Sequence, residues 1–317
     1  MATVTVVGSI NADLVVEVDR HPRPGETLLG SGGEVSAGGK GANQAVACAK
    51  LGTQVCMVGA VGTDAYAEEA LKYLRTSGVE LSDVSAVDGP TGLAVITVDS
   101  SGENTIVVVS GANAQVDGGF VDARRGAVEG AEVVVVQGEI PASGFSAAVQ
   151  LATGRVVVNL APVIDVERAD LLRADPLVAN EHEAGLILTQ LGELQPPATE
   201  EEMAAVLLAQ GFASVVITRG AGGAVVGHGD TITPIPAPRV EAIDTTGAGD
   251  AFVGALPPRP RSFACRRLRV RIPRRSAVYH PPRHAKRLSH RGRRATLTTP
   301  SGASGSPAPP ARCRSTR

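Results

Sequence analysis

Short runs of β-branched residues alternate with longer helical patterns over some 240 residues of this chain. Runs of this kind, ended by Gly or by a polar residue, predict buried strands. We predict five such strands, at residues 4–8, 55–59, 133–136, 156–159 and 215–218. Helices are predicted at residues 44–51, 64–77, 165–173, 180–191 and 199–210. Strands that alternate with helices indicate an α/β fold, a doubly wound and mostly parallel sheet flanked by helices.

Two further pairs of segments predict a second, smaller sheet. Residues 14–18 and 26–30 are predicted as short strands joined through a turn that contains Pro and Gly. Residues 92–98 and 105–109 alternate apolar and polar side chains around a Ser-Ser-Gly turn, which is typical of a hairpin. We expect these strands to pair with one another as a small β-sheet lid, apart from the main sheet.

The stretch EAIDTTGAGDAFVGAL, at 241–256, is interpreted as the end of a strand, a tight turn and the start of a helix. Gly247 and Gly249 lack a Cβ atom, which permits a sharp turn and close approach of a ligand. A helix N-terminus presents unpaired N–H groups to an anion such as phosphate. Asp250 then stands where a carboxylate can take a proton from an attacking hydroxyl group. The other interpretation is that Asp250 only caps the helix.

Polar side chains also follow two of the predicted strands. Asn11 and Asp13 come just after the first strand, and Glu139 follows the strand at 133–136. Open α/β sheets bind their ligands at the carboxyl ends of the strands. These residues are therefore candidates for binding the hydroxyl groups of a polyol, although Asn and Asp are also common in turns.

A glycine-rich segment, AGGKGAN, opens the first predicted helix. Gly38 and Gly39 permit close approach of the backbone to a ligand. Lys40 and Asn43 supply hydrogen-bond donors on the first turn. The segment is not a P-loop, because Lys40 is followed by Gly rather than by Ser or Thr. It favours a polyol pocket shared with the polar residues after the first strand.

Asn180 begins another predicted helix, and Glu183 follows three residues later. This spacing is typical of a capping box. It also suits an outer-sphere magnesium site on a nucleotide, because Mg²⁺ prefers oxygen ligands and keeps most of its waters. Thr218 and Gly220 lie at a strand end and in a glycine-rich turn, which suits phosphate or ribose.

These motifs resemble those of the ribokinase/PfkB family of sugar and nucleoside kinases. GSINAD, PGET, GGKGANQA, NExE and DTTGAGDAF occur in the family's order within residues 4–256, about four fifths of the chain. The set is highly specific for the family and fairly specific for the branch that phosphorylates D-ribose at its 5-hydroxyl group. The resemblance implies a phosphotransferase that uses ATP, Mg²⁺ and K⁺. It also implies a homodimer formed through the lid strands, about 14–30 and 92–109.

The resemblance further implies roles for individual residues. Asp250 would be the catalytic base, and the anion hole would be formed by Gly247, Ala248 and Gly249. The residues that hold the sugar would be Asn11, Asp13, Gly38, Gly39, Lys40, Asn43 and Glu139. Magnesium and phosphate would be organised by Asn180 and Glu183, with Thr218 and Gly220 near the nucleotide. The potassium site would include Asp244 and the carbonyl group of Thr246.

Other acceptors of the family remain open: a deoxyribose, a ketohexose or a ribonucleoside. Asn11, Asp13 and Glu139 favour a small free pentose. A nucleoside needs an apolar or aromatic platform for its base, and the chain has no Trp, five Phe and three Tyr.

The resemblance stops after Leu256. Residues 257–317 contain ten Pro and 17 of the 30 Lys and Arg residues, but neither Asp nor Glu. The net charge is therefore near −19 for residues 1–256 and near +17 for the tail. Consecutive prolines cannot continue a helix, and the tail has too little apolar periodicity to offset its ordering entropy. We divide the chain into a C-terminally incomplete kinase domain, 1–256, and a basic tail, 257–317.

Three interpretations of the tail are open. The first is an out-of-frame translation of the true C-terminus. The second is a disordered basic segment that binds nucleic acid or another polyanion, and the third is a C-terminus of unrecognised fold. We favour the first, because GC-rich codons read out of frame give much Arg, Pro, Ala and Ser. The coding DNA, shifted by one base near codon 256, should then encode a helical continuation with acidic residues. On this view nucleic acid is not a partner, and a sugar-binding protein without catalysis is the alternative to an enzyme of low stability and turnover.

The sequence also bears on location. The N-terminus enters a strand pattern at once and lacks the basic region of a signal peptide. No apolar run approaches the roughly 18 residues of a membrane span. The four Cys residues show no metal-binding spacing. We therefore expect a cytoplasmic protein with no membrane partner.

Overall fold

The structure is a computed structural model that describes residues 3–240 and 245–257. Within these residues the strands are Thr3–Val7 (β1), Asn11–Glu17 (β2), Ser31–Gly38 (β3), Gln54–Val61 (β4), Val84–Ala86 (β5), Gly92–Val98 (β6), Asn104–Val109 (β7), Val133–Gln137 (β8), Arg155–Asn159 (β9), Ala174–Asn180 (β10), Ser214–Thr218 (β11), Ala224–His228 (β12) and Thr231–Ile235 (β13). The α-helices are Lys40–Lys50 (α1), Tyr66–Thr76 (α2), Gly118–Asp122 (α3), Arg125–Glu129 (α4), Ala142–Leu151 (α5), Arg168–Leu171 (α6), Glu181–Gln190 (α7), Glu200–Ala209 (α8) and Ala248–Gly254 (α9).

Nine of these strands form the main sheet, in the order β13-β12-β11-β10-β9-β8-β1-β4-β5. The strands from β11 to β5 are parallel, and β12 and β13 add an antiparallel edge. Parallel strands need crossover connections, which the helices supply. The predicted α/β fold is confirmed.

Alternate valines explain why the main sheet has a core on each face. In β8, Val134 and Val136 join one buried cluster together with Phe145 of α5. Val133 and Val135 join the other cluster, which includes residues of α1 and α9. Side chains alternate between the faces of a strand, so a strand buried on both faces is a continuous apolar run. This is the pattern from which the sequence predicted these strands.

The remaining four strands form the lid sheet, in the order β3-β2-β6-β7. The predicted hairpin of β6 and β7 is confirmed. The strand predicted at 26–30 is wrong, since the partner of β2 is β3, Ser31–Gly38. Glu26 instead closes a loop: its carboxylate pairs with Arg20 and accepts a hydrogen bond from the backbone nitrogen of Arg23 at 3.0 Å.

Other element boundaries differ as well. The helix predicted at 165–173 is confined to Arg168–Leu171. The strand predicted to begin at residue 14 begins at Asn11. Part of the stretch interpreted as a strand end, 241–244, and the tail from 258 lie outside the described residues.

Arg155, the first residue of β9, binds the backbone just after α9. It is 6% exposed, and its Nη2 donates to the carbonyl oxygens of Leu256 at 3.3 Å and Pro257 at 3.1 Å. Since α9 ends at Gly254, this buried guanidinium group holds the segment that follows the helix, where the sequence pattern changes.

Candidate active site

The glycine-rich segment and the polar residues after the first strand meet where the lid sheet joins the main sheet. Asn11 and Asp13 are the first and third residues of β2, a lid strand that follows β1 closely. Gly38 ends β3 and lies opposite Asn11 in the β2–β3 register, and Lys40 begins α1 two residues later. The β2–β3 pairing therefore places the glycine-rich segment beside the polar residues after the first strand.

Close packing around these side chains requires glycine at two positions. A Cβ atom on Gly38 would lie 2.1 Å from the carboxyl group of Asp13. Gly39 has a φ of 89°, and a Cβ atom there would lie 2.7 Å from the backbone nitrogen of Asn11. Both glycines are thus needed for contacts within the protein, besides the ligand approach for which the sequence analysis proposed them.

Asp250 lies in the first turn of α9 and is 7% exposed. Its Oδ2 accepts a hydrogen bond from Asn43 Nδ2 at 3.1 Å, and its Oδ1 accepts one from Gln44 Nε2 at 3.1 Å. Both donors belong to α1, which packs closely on α9: a Cβ atom on Gly254 would lie 2.5 Å from the carbonyl oxygen of Gln44. The contact between the two helices therefore fixes this carboxylate, and Asp250 is held by side-chain donors rather than acting as the helix cap.

Burial and neighbouring charges act on the pKa values of Asp13 and Asp250. Burial, followed by the charges of Glu139 and Asp250, raises the pKa of Asp13 to about 7. Burial also raises the pKa of Asp250, while the charge of Lys40 and the two amide hydrogen bonds oppose that rise. Oδ1 of Asp13 is buried with no hydrogen-bond partner among residues 3–240 and 245–257. A buried acceptor without a partner costs about 1–3 kcal/mol, so this atom suits a ligand hydroxyl group.

Glu139, just after β8, holds the entrance to α1. Its Oε2 accepts hydrogen bonds from Ser9 Oγ at 2.5 Å and from the backbone nitrogen of Lys40 at 3.0 Å. Ser9 Oγ accepts in turn from the backbone nitrogen of Gly41 at 3.2 Å. A carboxylate at the first turn of a helix is stabilised by the helix dipole. Glu139 therefore positions the glycine-rich segment at Lys40. Its contact with a sugar remains a prediction.

Asn113 orients Asn11 and was not predicted from the sequence. Its Oδ1 accepts from the backbone nitrogen of Ile10 at 2.9 Å, and its Nδ2 donates to Asn11 Oδ1 at 2.7 Å. Since the carbonyl oxygen of Asn11 is occupied in this way, its amide N–H groups are the ones left for a ligand. A Cβ atom on Gly92 would lie 2.2 Å from Asn113 Nδ2 and 2.3 Å from Asn11 Oδ1, so glycine makes room for the pair.

Three buried amides behind Asp250 were also missed. Gln44 Nε2 donates to Asn159 Oδ1 at 3.0 Å, and Gln137 Nε2 donates to Gln44 Oε1 at 2.8 Å. Gln44 and Gln137 are fully buried and Asn159 is 7% exposed. The sequence did contain an indication of these buried amides. VVVVQ and RVVVN each end an apolar run with an amide residue, and Gln44 is a polar residue within a helix of small residues.

The predicted anion hole lies at the N-terminus of α9. Gly247 is the N-cap with a φ of 67°, a left-handed conformation that favours glycine. Gly249 has an ordinary helical conformation, and a Cβ atom there would meet nothing within 4 Å. Ala248 and Gly249 are exposed, and the N–H of Ala248 donates to the Thr245 carbonyl oxygen at 3.1 Å. Only one of the two glycines is therefore needed for the turn, and the space beside the other is open.

The predicted nucleotide residues form a second group, at the ends of β10 and β11. Asn180 and Thr218 are adjacent in the parallel register. Asn180 Oδ1 accepts from the Glu183 backbone nitrogen at 2.8 Å, and Glu183 Oε2 accepts from the Asn180 backbone nitrogen at 2.9 Å, so the capping box is confirmed. Gly220 has a φ of 51° and open space around it. Asn159 connects the two groups, since its Nδ2 donates to the Val178 carbonyl oxygen of β10 at 3.1 Å.

The predicted potassium site falls only partly within the described residues. Thr246 lies in an exposed turn before α9, and Asp244 lies outside the described residues. Among the residues that the structure does cover, no group of three or more His, Cys, Asp or Glu side chains has the arrangement of a metal site. No helix in that part of the chain has the length and apolar character needed to cross a membrane.

A buried carboxylate held by amide donors in the first turn of a helix, beside a cluster of polar side chains, suits an enzyme that transfers a phosphoryl group to an alcohol. The sequence comparison agrees, since the family model described as pfkB family carbohydrate kinase matches residues 1–257. The chain belongs to this family of phosphotransferases.

Comparison with individual proteins shows which members of this family the chain is similar to. It is 39% identical over 272 residues to the ribokinase of Schizosaccharomyces pombe, covering 81% of this chain and 84% of that protein. It is 36% identical over 259 residues to the ribokinase of Bacillus subtilis, covering 81% of this chain and 85% of that protein. Its fold is similar to that of Thermotoga maritima ribokinase, with a TM-score of 0.74 at 32% identity, over 80% of this chain and 84% of that one. It is also similar to Arabidopsis thaliana ribokinase complexed with ribose and ATP, with a TM-score of 0.70 at 32% identity, over 80% and 85% of the two chains.

Proposed function

We propose that this chain is a ribokinase, which transfers the γ-phosphoryl group of ATP to the 5-hydroxyl group of D-ribose. The observation that carries the proposal is the placement of Asp250, buried at the start of α9 and held by donors from α1. The ribokinases similar to this chain, one of them a complex with ribose and ATP, support the choice of substrates.

Asp250 acts as the general base in this reaction. Its carboxylate accepts the proton of the 5-hydroxyl group as the oxygen attacks the γ-phosphorus atom, and the bond between that phosphorus and the β–γ bridging oxygen breaks to release ADP. Burial raises the pKa of Asp250 and so makes it a stronger base, while Lys40 favours its ionised form. A catalytic base is most effective when both conditions are met.

The sugar is held by groups on the lid and on α1. Asn11 donates and Asp13 accepts hydrogen bonds at the sugar's hydroxyl groups, because Asn113 occupies the carbonyl oxygen of Asn11 and Asp13 has a buried oxygen with no hydrogen-bond partner among the described residues. Gly38, Gly39, Lys40, Asn43 and Glu139 complete the proposed sugar site. The proposed anion hole for the transferring phosphoryl group consists of the backbone N–H groups of Gly247, Ala248 and Gly249, of which that of Ala248 must first leave the Thr245 carbonyl oxygen.

The described residues include all of the proposed Mg²⁺ and nucleotide contacts but only part of the proposed K⁺ site. Mg²⁺ would be held through water by Asn180 and Glu183, where it would offset phosphate charge; the capping box uses Oε2 of Glu183 and leaves a carboxylate edge for such contacts. K⁺ would be held by Asp244 and by the carbonyl group of Thr246. Thr218 and Gly220 would lie near the nucleotide. We further propose a cytoplasmic homodimer that contacts through the lid sheet.

A 2-deoxyribose is the second candidate acceptor, because the chain is 32% identical to the deoxyribokinase of Salmonella typhi over 261 residues. The test is ADP release from ATP and magnesium, with and without potassium, using D-ribose, 2-deoxyribose, fructose and adenosine in parallel. We expect turnover that depends on D-ribose and is faster with potassium. Preference for another acceptor would change the proposed substrate, and absence of turnover with all four from folded protein would contradict the proposed activity.

Asp250→Asn tests the base directly. We expect a loss of kcat by about 10²–10⁴-fold, because the amide cannot accept the proton, while calorimetry still detects ribose. Asp170→Asn is the matched control, since Asp170 is also buried but contacts Gln150 away from the site. Equal losses in both variants would mean that the effect comes from folding and not from the base.

A further inference from the structure

The amide groups behind Asp250 have only one consistent orientation. The carbonyl oxygen of Val178 can only accept a hydrogen bond, so the group of Asn159 that faces it at 3.1 Å is Nδ2. Asn159 must then present Oδ1 on its other side, where Gln44 lies at 3.0 Å. An oxygen needs a donor opposite it, so the group of Gln44 that faces Asn159 is Nε2.

This orientation of the Gln44 side chain also determines which of its atoms faces Asp250. Gln44 Nε2 also lies 3.1 Å from Asp250 Oδ1, so the amide gives that carboxylate a donor. Gln44 Oε1 is turned away and accepts from Gln137 Nε2 at 2.8 Å. A reversed Gln44 would set its oxygen against two acceptor oxygens and its N–H groups against those of Gln137.

We propose that Gln44 is a positioning residue for the base, whose amide is fixed by Gln137 and Asn159 so that an N–H group always faces Asp250. The inference rests on the proposed function, in which Asp250 accepts the proton. The donor favours the ionised carboxylate. Oδ1 accepts from Gln44 and Oδ2 from Asn43, and each oxygen keeps a second lone pair that can accept from the substrate hydroxyl group.

Other charges near Asp250 do not make this donor redundant. Lys40, on α1, favours the ionised form, but Glu139, after β8, opposes it, and Asp13, on β2, is a further carboxylate in the pocket. The desolvation caused by burial also acts against ionisation. Gln44 and Asn43 are the donors that touch the carboxylate, and only Gln44 is itself fixed by a chain of buried amides.

The test is the titration of Asp250 in protein with ¹³C-labelled aspartate carboxyl groups, with the resonance assigned by its loss in Asp250→Asn. Gln44→Met keeps the size of the side chain and removes the donor. We expect it to raise the pKa of Asp250 by about one to two pH units, the equivalent of one hydrogen bond to a charged group. Gln150→Met is the matched control, because Gln150 Nε2 donates to both oxygens of Asp170 outside the site.

Gln137→Met is the second variant. It leaves Gln44 in place but removes the donor that fixes its orientation, so we expect a smaller shift of the same sign. In the enzyme assay, the acid limb of the pH profile of kcat should move to higher pH in both variants, with the KM for ribose changed less than about twofold.

Each outcome bears on the proposal. An unchanged Asp250 titration in Gln44→Met, or an equal shift in Gln150→Met, would overturn it. If Gln44→Met does not fold, the shift in Gln137→Met supports the proposal and its absence overturns it. The titration requires no turnover, so a wild-type protein without kinase activity would contradict the proposed function while the role of Gln44 is still decided.

Discussion

At the scale of single residues, Asp13 and Asp250 show how one type of side chain takes different tasks. Asp250 has two amide donors and a nearby cation, whereas Asp13 has a buried oxygen with no partner in the described part of the chain. Donors and cations favour an ionised carboxylate, while burial without them disfavours it. Asp13 is therefore suited to hold a hydroxyl group, and Asp250 to accept a proton.

Asp13 should make the stability of the ligand-free protein depend on pH. Its pKa is about 7 in the folded chain and near 4 when unfolded, so between these values the folded state binds more protons. Stability should therefore fall as pH rises from about 4 to about 7. Asp13→Asn removes this loss, and we expect it to be more stable than the wild type at pH 8 by no more than about 4 kcal/mol, with little difference at pH 4.

Thermal unfolding of both proteins across this pH range is the measurement. A difference in melting temperature that is constant with pH would contradict the expectation. Saturating ribose should reduce the difference, because a ligand hydroxyl group would then supply the missing partner.

The residues of the site were predictable to the extent that they lie within local motifs. Asn11, Lys40, Asn43 and Asp250 belong to patterns that imply a turn or a helix start, and the structure brings them together. Asn113 could not be predicted in this way, because its role depends on Ile10 and Asn11, about a hundred residues away. The buried amides of α1, β8 and β9 likewise acquire their meaning only from contacts between elements.

At the scale of elements, the contact between α1 and α9 decides where Asp250, the proposed base, lies. α1 contributes both amide donors to Asp250, and Gly254 allows the helices to approach closely. α9 has only seven residues, and isolated helices of that length are not stable in water. Its position must come from packing on α1 and from Arg155, which holds the segment just after the helix.

Gly254→Ala tests this packing. Its Cβ atom would lie 2.5 Å from the Gln44 carbonyl oxygen and 2.7 Å from Ala47 Cβ, so the helices must separate. We expect a loss of stability of about 1–3 kcal/mol in urea unfolding, together with a lower kcat. Gly185→Ala is the matched control in α7, where a new Cβ meets nothing within 4 Å, and should gain about 0.5–1 kcal/mol. A gain in Gly254→Ala as well would show that the two helices do not depend on close contact.

Elements were predictable where the sequence is strongly apolar and uniform. The valine-rich strands of the main sheet were found for this reason. The lid strand β3, SGGEVSAG, was missed because glycine has a low strand propensity, and it forms through its pairing with β2. The antiparallel edge strands β12 and β13 contain Gly227 and Pro234, which weaken a strand pattern when read alone.

At the scale of the whole molecule, the lid sheet ends in a strand with unusual exposure. β7 lies at an edge of that sheet, and Ile106, Val107, Val108 and Val109 are each 46–60% exposed. An apolar edge strand is prone to pair with another chain unless it is covered. This exposure supports the proposed homodimer through the lid.

Val107→Lys should therefore shift the chain from dimer to monomer, because a charge would be buried against the second copy. Sedimentation equilibrium at several protein concentrations measures the change. Thr105→Lys is the control, because it places the same charge on the same strand at a polar position. It should weaken the dimer less than Val107→Lys does. Identical association of wild type and Val107→Lys would rule out β7 as the contact.

The hydrogen bonds of Arg155 join parts of the chain that are far apart in sequence. They tie the backbone at residues 256 and 257 to β9, the central strand of the main sheet. The segment after α9 is therefore anchored separately from Asp250, whose donors come from α1. Removing the Arg155 side chain would abolish this anchor and leave both donors to Asp250 in place.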